Sequence, residues 1–177
     1  MKFAALLLVF FTHSVCAQEI SYLRSLYADD FREWLFFDAR ENEIGTLRAR
    51  WQLSTDYSQW DVRIGEYSGA ILLRWNDRPN EWEIRIHNDF LTAAPTWPGH
   101  LDSWRITDHS KTYYCNLQRD PEGIQWVLEQ EKEAVCFIYN EYLNDTRDWA
   151  IEYQNKEVNL NLIIAAFFLT SYYSTPK

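Results

Sequence analysis

Five copies of one short pattern decide the fold: Trp60-Asp61-Val62-Arg63-Ile64, Trp82-Glu83-Ile84-Arg85-Ile86, Trp104-Arg105-Ile106-Thr107, Trp126-Val127-Leu128-Glu129 and Trp149-Ala150-Ile151-Glu152. The leading tryptophans follow one another at intervals of 22, 22, 22 and 23 residues. A looser copy starts at Trp34 with Leu35-Phe36-Phe37-Asp38. Within each copy apolar residues alternate with mostly polar ones, the period of a half-buried strand. A regular interval of this size marks a chain built from one repeated supersecondary unit.

Each unit has room for a second strand. Ile44 to Trp51, Gly69 to Trp75 and Phe90 to Trp97 are three of them. Polar or Gly-containing turns separate them, such as Ala39-Arg40-Glu41-Asn42-Glu43 and Gly65-Glu66-Tyr67-Ser68. Residues 76–81 and 98–103 have the same turn character. About 22 residues suits two short strands and two turns, so each unit reads as a β-hairpin.

A sheet of consecutive hairpins either stays open or closes and loses its edges. The tail bears on that choice. Val158 to Tyr173 contains the run Leu162-Ile163-Ile164-Ala165-Ala166-Phe167-Phe168-Leu169. Asn155 or Asn159 could cap a helix there. A helix apolar on every side must be buried on every side, and the lumen of a closed sheet offers that. The alternative is one more core strand. The expected fold is all-β with one C-terminal helix: antiparallel hairpins closed into a barrel of 11–12 strands around a buried apolar helix at about 158–173.

A barrel of hairpins with an apolar C-terminal helix in its lumen resembles the tubby-like superfamily. That group comprises tubby domains, phospholipid scramblases and the plant LURP-one-related proteins. The stretch Phe36-Phe37-Asp38-Ala39-Arg40-Glu41-Asn42-Glu43-Ile44-Gly45-Thr46-Leu47 is similar to that family's strand-turn-glycine opening, and Val158 to Tyr173 to its central helix. The likeness spans roughly Arg32 to Tyr173. It implies a fold more than an activity. Its members are often linked to membrane lipids, and some bind phosphoinositides.

The first residues have the form of a signal peptide. Lys2 gives the positive start, Phe3 to Phe11 the apolar core, and Val15-Cys16-Ala17 small residues for cleavage, so export of a chain beginning at Gln18 is expected. A membrane anchor is the rival reading, but the apolar run is too short to span a bilayer. The expected organisation is residues 1–17 as signal peptide, 18–33 as an N-terminal segment, and 34–177 as the barrel. Ile20 to Phe31 could form a short amphipathic helix, with Tyr22, Leu23, Leu26 and Tyr27 on one side. After cleavage no transmembrane segment is expected.

The chain has 177 residues, enough for one domain with its own core. Aromatic residues make up 17%, with nine Trp and eleven Tyr, a composition that favours strands. A net charge of −9 excludes wholesale binding to nucleic acid, so an anion site would have to be a local patch.

Pairing Trp51 with Trp60 and Trp75 with Trp82 fixes a trial register. These paired tryptophans, Val62, Ile64, Ile71, Leu73, Ile84 and Ile86 then share the inner face. One outer row reads Arg50, Asp61, Arg74, Glu83, Thr96, Arg105, a solvated ladder of mostly alternating sign. The next reads Phe37, Arg48, Arg63, Leu72, Arg85, with Arg48 beside Arg63 and no acid. Like charges side by side oppose a sheet unless they splay into water. Paired guanidinium groups also suit phosphate, sulfate or carboxylate. Arg48, Arg63 and Arg85 are therefore the candidate ligand-binding residues.

Cys115 and Cys136 remain after cleavage, and an oxidising compartment would favour one disulfide. The trial register opposes it. It puts one strand between them, and strands two apart lie about 9.5–10 Å from each other, beyond the reach of about 7 Å of a disulfide.

His87, His100 and His109 lie near turns without metal-ligand spacing. There is no nucleophile elbow, phosphate loop or Cys-x-x-Cys. Glu129, Glu131 and Glu133 read as a solvated face, Asp120-Pro121-Glu122-Gly123 as a turn, and Asn144-Asp145-Thr146 as a glycosylation sequon. No catalytic residue, metal or cofactor is expected. Two functions remain: an exported binding module for an anionic ligand or membrane surface, or an interaction protein using its sheet face or edge.

Overall fold

A computed structural model describes residues 19–51, 56–109, 111–120, 123–143, 145–155 and 157–176. The signal-peptide segment and Asn144 of the sequon fall outside them.

Twelve antiparallel strands form one closed barrel: β1 (Tyr22–Ser25), β2 (Glu33–Phe37), β3 (Glu43–Ala49), β4 (Gln59–Ile64), β5 (Tyr67–Trp75), β6 (Arg78–Ile86), β7 (Asp89–Pro95), β8 (Ser103–Asp108), β9 (Lys111–Asp120), β10 (Gly123–Gln130), β11 (Glu133–Asn140) and β12 (Asp148–Tyr153). Each strand pairs with its neighbours in sequence, and β1 closes the ring against β12. The helix α1 (Leu160–Ser174) follows. Strands about 4.8 Å apart and tilted about 40° enclose, twelve around, a backbone cylinder about 24 Å across. Two layers of inward side chains take about 10 Å, and the remaining bore suits an α-helix about 10–12 Å wide.

The helix occupies that bore. Asn161 to Ser171 are all buried, with Ile164 through Leu169 fully so. Asn159 is the N-cap, its side chain accepting from the Asn161 amide at 2.8 Å. The Asn161 side chain donates to Asp89 Oδ2 and to the Ile86 carbonyl, fixing the entry end. Phe168 stacks edge-on against Trp60 at 5.7 Å and Trp82 at 4.8 Å.

All six tryptophans that lead a strand are buried: Trp34, Trp60, Trp82, Trp104, Trp126 and Trp149. Each lies on a strand that leaves the same end of the barrel, here called the tryptophan end. In β2, β4, β8 and β12 the tryptophan is the second strand residue, so the residue three places earlier lies in the preceding connection. Its free carbonyl accepts the indole N–H at 2.9 Å: Phe31, Tyr57, Leu101 and Thr146 respectively. In β6 and β10 the strand starts earlier and that residue is already in the sheet. Trp82 and Trp126 instead donate to the Tyr173 hydroxyl and to Ser174 Oγ, at the last turn of α1. A buried indole N–H needs such a partner, and this need ties the helix to the wall.

Two expectations change. Residues 20–31 hold no helix; Tyr22–Ser25 is strand β1, with Leu23 fully buried between Phe36 and Trp149. A strand with one inward residue leaves the same trace as one helical turn, and barrel closure decides for the strand. The register also differs. Trp60 pairs with Ala49 and Ile71, and Trp82 with Leu73 and Ala93. Trp51 and Trp75 lie beyond the core, 49% and 48% exposed. The inner parity holds, with Val62, Ile64, Ile71, Ile84 and Ile86 buried and Leu73 packed at the margin. A displacement of two residues keeps every side chain on its face.

Candidate functional site

The altered register rebuilds the arginine row. Arg48 faces Glu33 on β2 and Asp61 on β4, while Arg63 faces Thr46 on β3 and Ser68 on β5. The two arginines are therefore diagonal neighbours, not opposite ones, and acids stand beside Arg48. Arg48 Nη2 donates to Glu33 Oε1, whose side chain is nearly buried. Asp61 is engaged by Arg50. Arg74 reaches Glu83 at 3.7 Å. Of the expected charge ladder two links exist, Arg50–Asp61 and Arg74–Glu83, as diagonal contacts; the row is not continuous, because Asp61 faces Ala70 and Glu83 faces Thr92.

Arg63 is exposed and makes no ion pair with any described residue. It lines a groove of about 640 Å³ on the outer wall over β3, β4 and β5, together with Arg48, Glu43, Asp61, Thr46 and Ser68. That volume suits a small ligand. Gly45 and Gly69 line the same groove. A Cβ on Gly45 would lie 2.2 Å from the Arg63 carbonyl oxygen, and one on Gly69 2.2 Å from that of Arg85. Only glycine lets the strands approach this closely.

Arg85 does not join the groove. It sits opposite Ala70 and Phe90, pairs with Glu83, and lies over the Phe90 ring at 5.7 Å. A smaller cleft of about 120 Å³ lies over β5 to β8, lined by Arg74, Arg105, Glu81, Thr92 and Thr107.

The cysteines face inward on β9 and β11, and Leu128 of β10 stands between them as partner of both. Both are free thiols. Burial pushes Cys136 up to about 12 and Cys115 further still. Neither is a reactive thiolate. Among the described residues no His, Cys, Asp and Glu group is arranged to hold a metal ion, and no helix is long and apolar enough to cross a membrane.

The sequence reading missed a second set of aromatic residues. Trp51, Trp75 and Trp97 share the inward parity but lie past the last buried residues of their strands, Ala49, Ile71 and Ala93, where the lumen is already filled. Trp97 is 68% exposed. The available signal was the ring of six leading indoles, which leaves no space for a second ring at that level.

Neither family models, curated proteins nor solved structures give a match to this chain.

Proposed function

We propose that the protein is an exported, non-enzymatic binding module. Its groove over β3–β5 takes a ligand bearing an anionic group, with Arg63 as the contact. The supporting observation is that Arg63, in a groove also lined by Glu43 and Asp61, makes no ion pair with a described residue, whereas Arg48, Arg50, Arg74 and Arg85 on the same wall each contact an acid. A guanidinium offers planar, bidentate donors to phosphate, sulfate or carboxylate. Thr46 and Ser68 stand opposite Arg63 and can add hydroxyl donors. Arg48 adds a second guanidinium at the diagonal, while its bond to Glu33 limits its charge. The resemblance to the tubby-like superfamily, whose members are often linked to membrane lipids, points the same way. The rival, an interaction protein using its sheet face or edge, keeps only the face, because a closed barrel leaves no edge strand for strand addition.

Pyrophosphate and phosphatidylglycerol vesicles are suitable probes, one soluble and one membranous. The double variant Arg48→Ala, Arg63→Ala should abolish binding of whichever probe the native protein takes, and Arg85→Ala should leave it intact. Unchanged binding by the double variant removes the groove as the site.

A further inference from the structure

We propose that the tryptophan end of the barrel is a docking face for a zwitterionic phospholipid bilayer. Six connections meet there: residues 26–32, 50–58, 76–77, 96–102, 121–122 and 141–147. Those connections and the last residue of β5 carry a set of exposed apolar side chains, including Tyr27, Trp51, Trp75, Trp97, Tyr142 and Leu143, between 48% and 68% exposed. At the opposite end the exposed large apolar residues among the described residues are Tyr67, at the start of β5, and Phe90, near the start of β7, 46% and 37% exposed. Scattered single apolar residues would be ordinary; a concentration of six at one end is not.

Their chemistry selects the occupant. Trp and Tyr favour the membrane–water interface, where the ring meets hydrocarbon and the polar edge stays wet. They project from four connections and the end of β5, distributed around a ring, an arrangement that suits a flat, deformable surface. Charge then selects among bilayers. The described residues of these connections hold seven carboxylates (Asp29, Asp30, Asp56, Asp77, Asp102, Glu141 and Asp145) against three arginines (Arg32, Arg50 and Arg147). All three arginines are paired with carboxylates: with Asp30, Asp61 and Asp145. An acidic rim repels an anionic surface. It complements the ammonium groups that are outermost on choline and ethanolamine headgroups, and aromatic faces beside carboxylates suit those cations. This face is separate from the groove, so the two assignments fail independently.

The test uses the mature chain with vesicles of phosphatidylcholine alone, or phosphatidylcholine carrying brominated acyl chains, read by co-sedimentation and fluorescence quenching. The native protein should partition onto phosphatidylcholine and be quenched by the brominated lipid. The triple variant Trp51→Ser, Trp97→Ser, Tyr142→Ser should keep its circular dichroism spectrum and lose at least about tenfold in partitioning. Arg48→Ala, Arg63→Ala should partition as the native protein does. No partitioning, equal partitioning by the triple variant, or tighter binding of the Arg48→Ala, Arg63→Ala variant to phosphatidylglycerol than to phosphatidylcholine overturns the proposal. A concentration-dependent dimer that the triple variant abolishes, with no vesicle binding, assigns the face to a second copy of the chain instead.

Discussion

At the tryptophan end the strands are joined by connections of seven, nine, two, seven, two and seven residues. At the other end four of the connections are two residues long, residues 38–42 make the fifth, and residues 154–159 lead into α1. The short turns use left-handed backbone at Gly65, His87, His109, Glu131 and Lys132, which suits tight hairpins. They hold register and little else. The long connections do two further things. They supply free carbonyls to four indoles from within, and they carry exposed rings outward. Where that end has only a two-residue turn, the indole takes its partner from the helix, as Trp82 and Trp126 do. One set of strands thus yields a plain end and an end that is sealed inside and apolar outside.

The strongest way to break this comparison is to empty the seal. Phe168→Ala removes a fully buried ring between Trp60 and Trp82 and should cost about 3–5 kcal/mol by chemical denaturation. A loss near zero would mean that the indole ring does not close on the helix.

Alkali tests the buried wall. Cys136, raised to about 12, and Cys115, Tyr153 and Tyr173, raised further, keep their protons in the folded state while the unfolded chain releases them. Folded pKa values above the unfolded ones mean stability that is complete below the unfolded value of 9.0 for the thiols and is lost as pH rises toward the folded values. Melting temperature should fall between pH 9 and 11, by about 1.4 kcal/mol of stability per thiol for each pH unit. A flat profile would contradict the burial.

Gly69→Ala asks whether the close strand approach under the groove is obligatory. Its Cβ meets backbone at 2.2 Å, so a cost of about 1–3 kcal/mol is expected. A neutral outcome would show that the wall relaxes. Trp126→Phe removes one indole N–H and leaves Ser174 without that donor. It should cost roughly 1 kcal/mol beyond the lost packing, with local fraying of the last helical turn visible by amide exchange. At the bottom of the scale, Trp97→Ser at the outer rim should change stability by less than about 0.5 kcal/mol.

Much of this was readable in the chain. The Trp interval gave the hairpins, alternation gave the two faces, and the run Leu162 to Leu169 required an apolar sheath, which the lumen provides. Asn155 and Asn159 both suit a helix cap by residue type, and Asn159 is the one that fills it. Face assignment survived a wrong register because Trp51 and Ala49 have the same parity, and periodicity cannot tell them apart. The arginine site did not survive in the same form. Whether Arg48 meets Arg63 or Asp61 depends on a two-residue displacement set by where the connections leave the sheet. Strand β1 was hidden for a different reason. Only Leu23 of its four residues is buried, so its place is fixed by pairing with β2 and β12, partners remote in sequence or across an unpatterned loop. The exposed tryptophans were misassigned because composition marks indoles as core, and only the filled lumen pushes them out.

The most direct test of a helix threaded through a ring of indoles is nuclear Overhauser contact between aromatic protons. The Phe168 ring should show contacts to the indoles of both Trp60 and Trp82, and the Tyr173 ring to Trp104. Absence of those contacts, with the Trp60 and Trp82 indole N–H protons exchanging freely with water, would contradict the account.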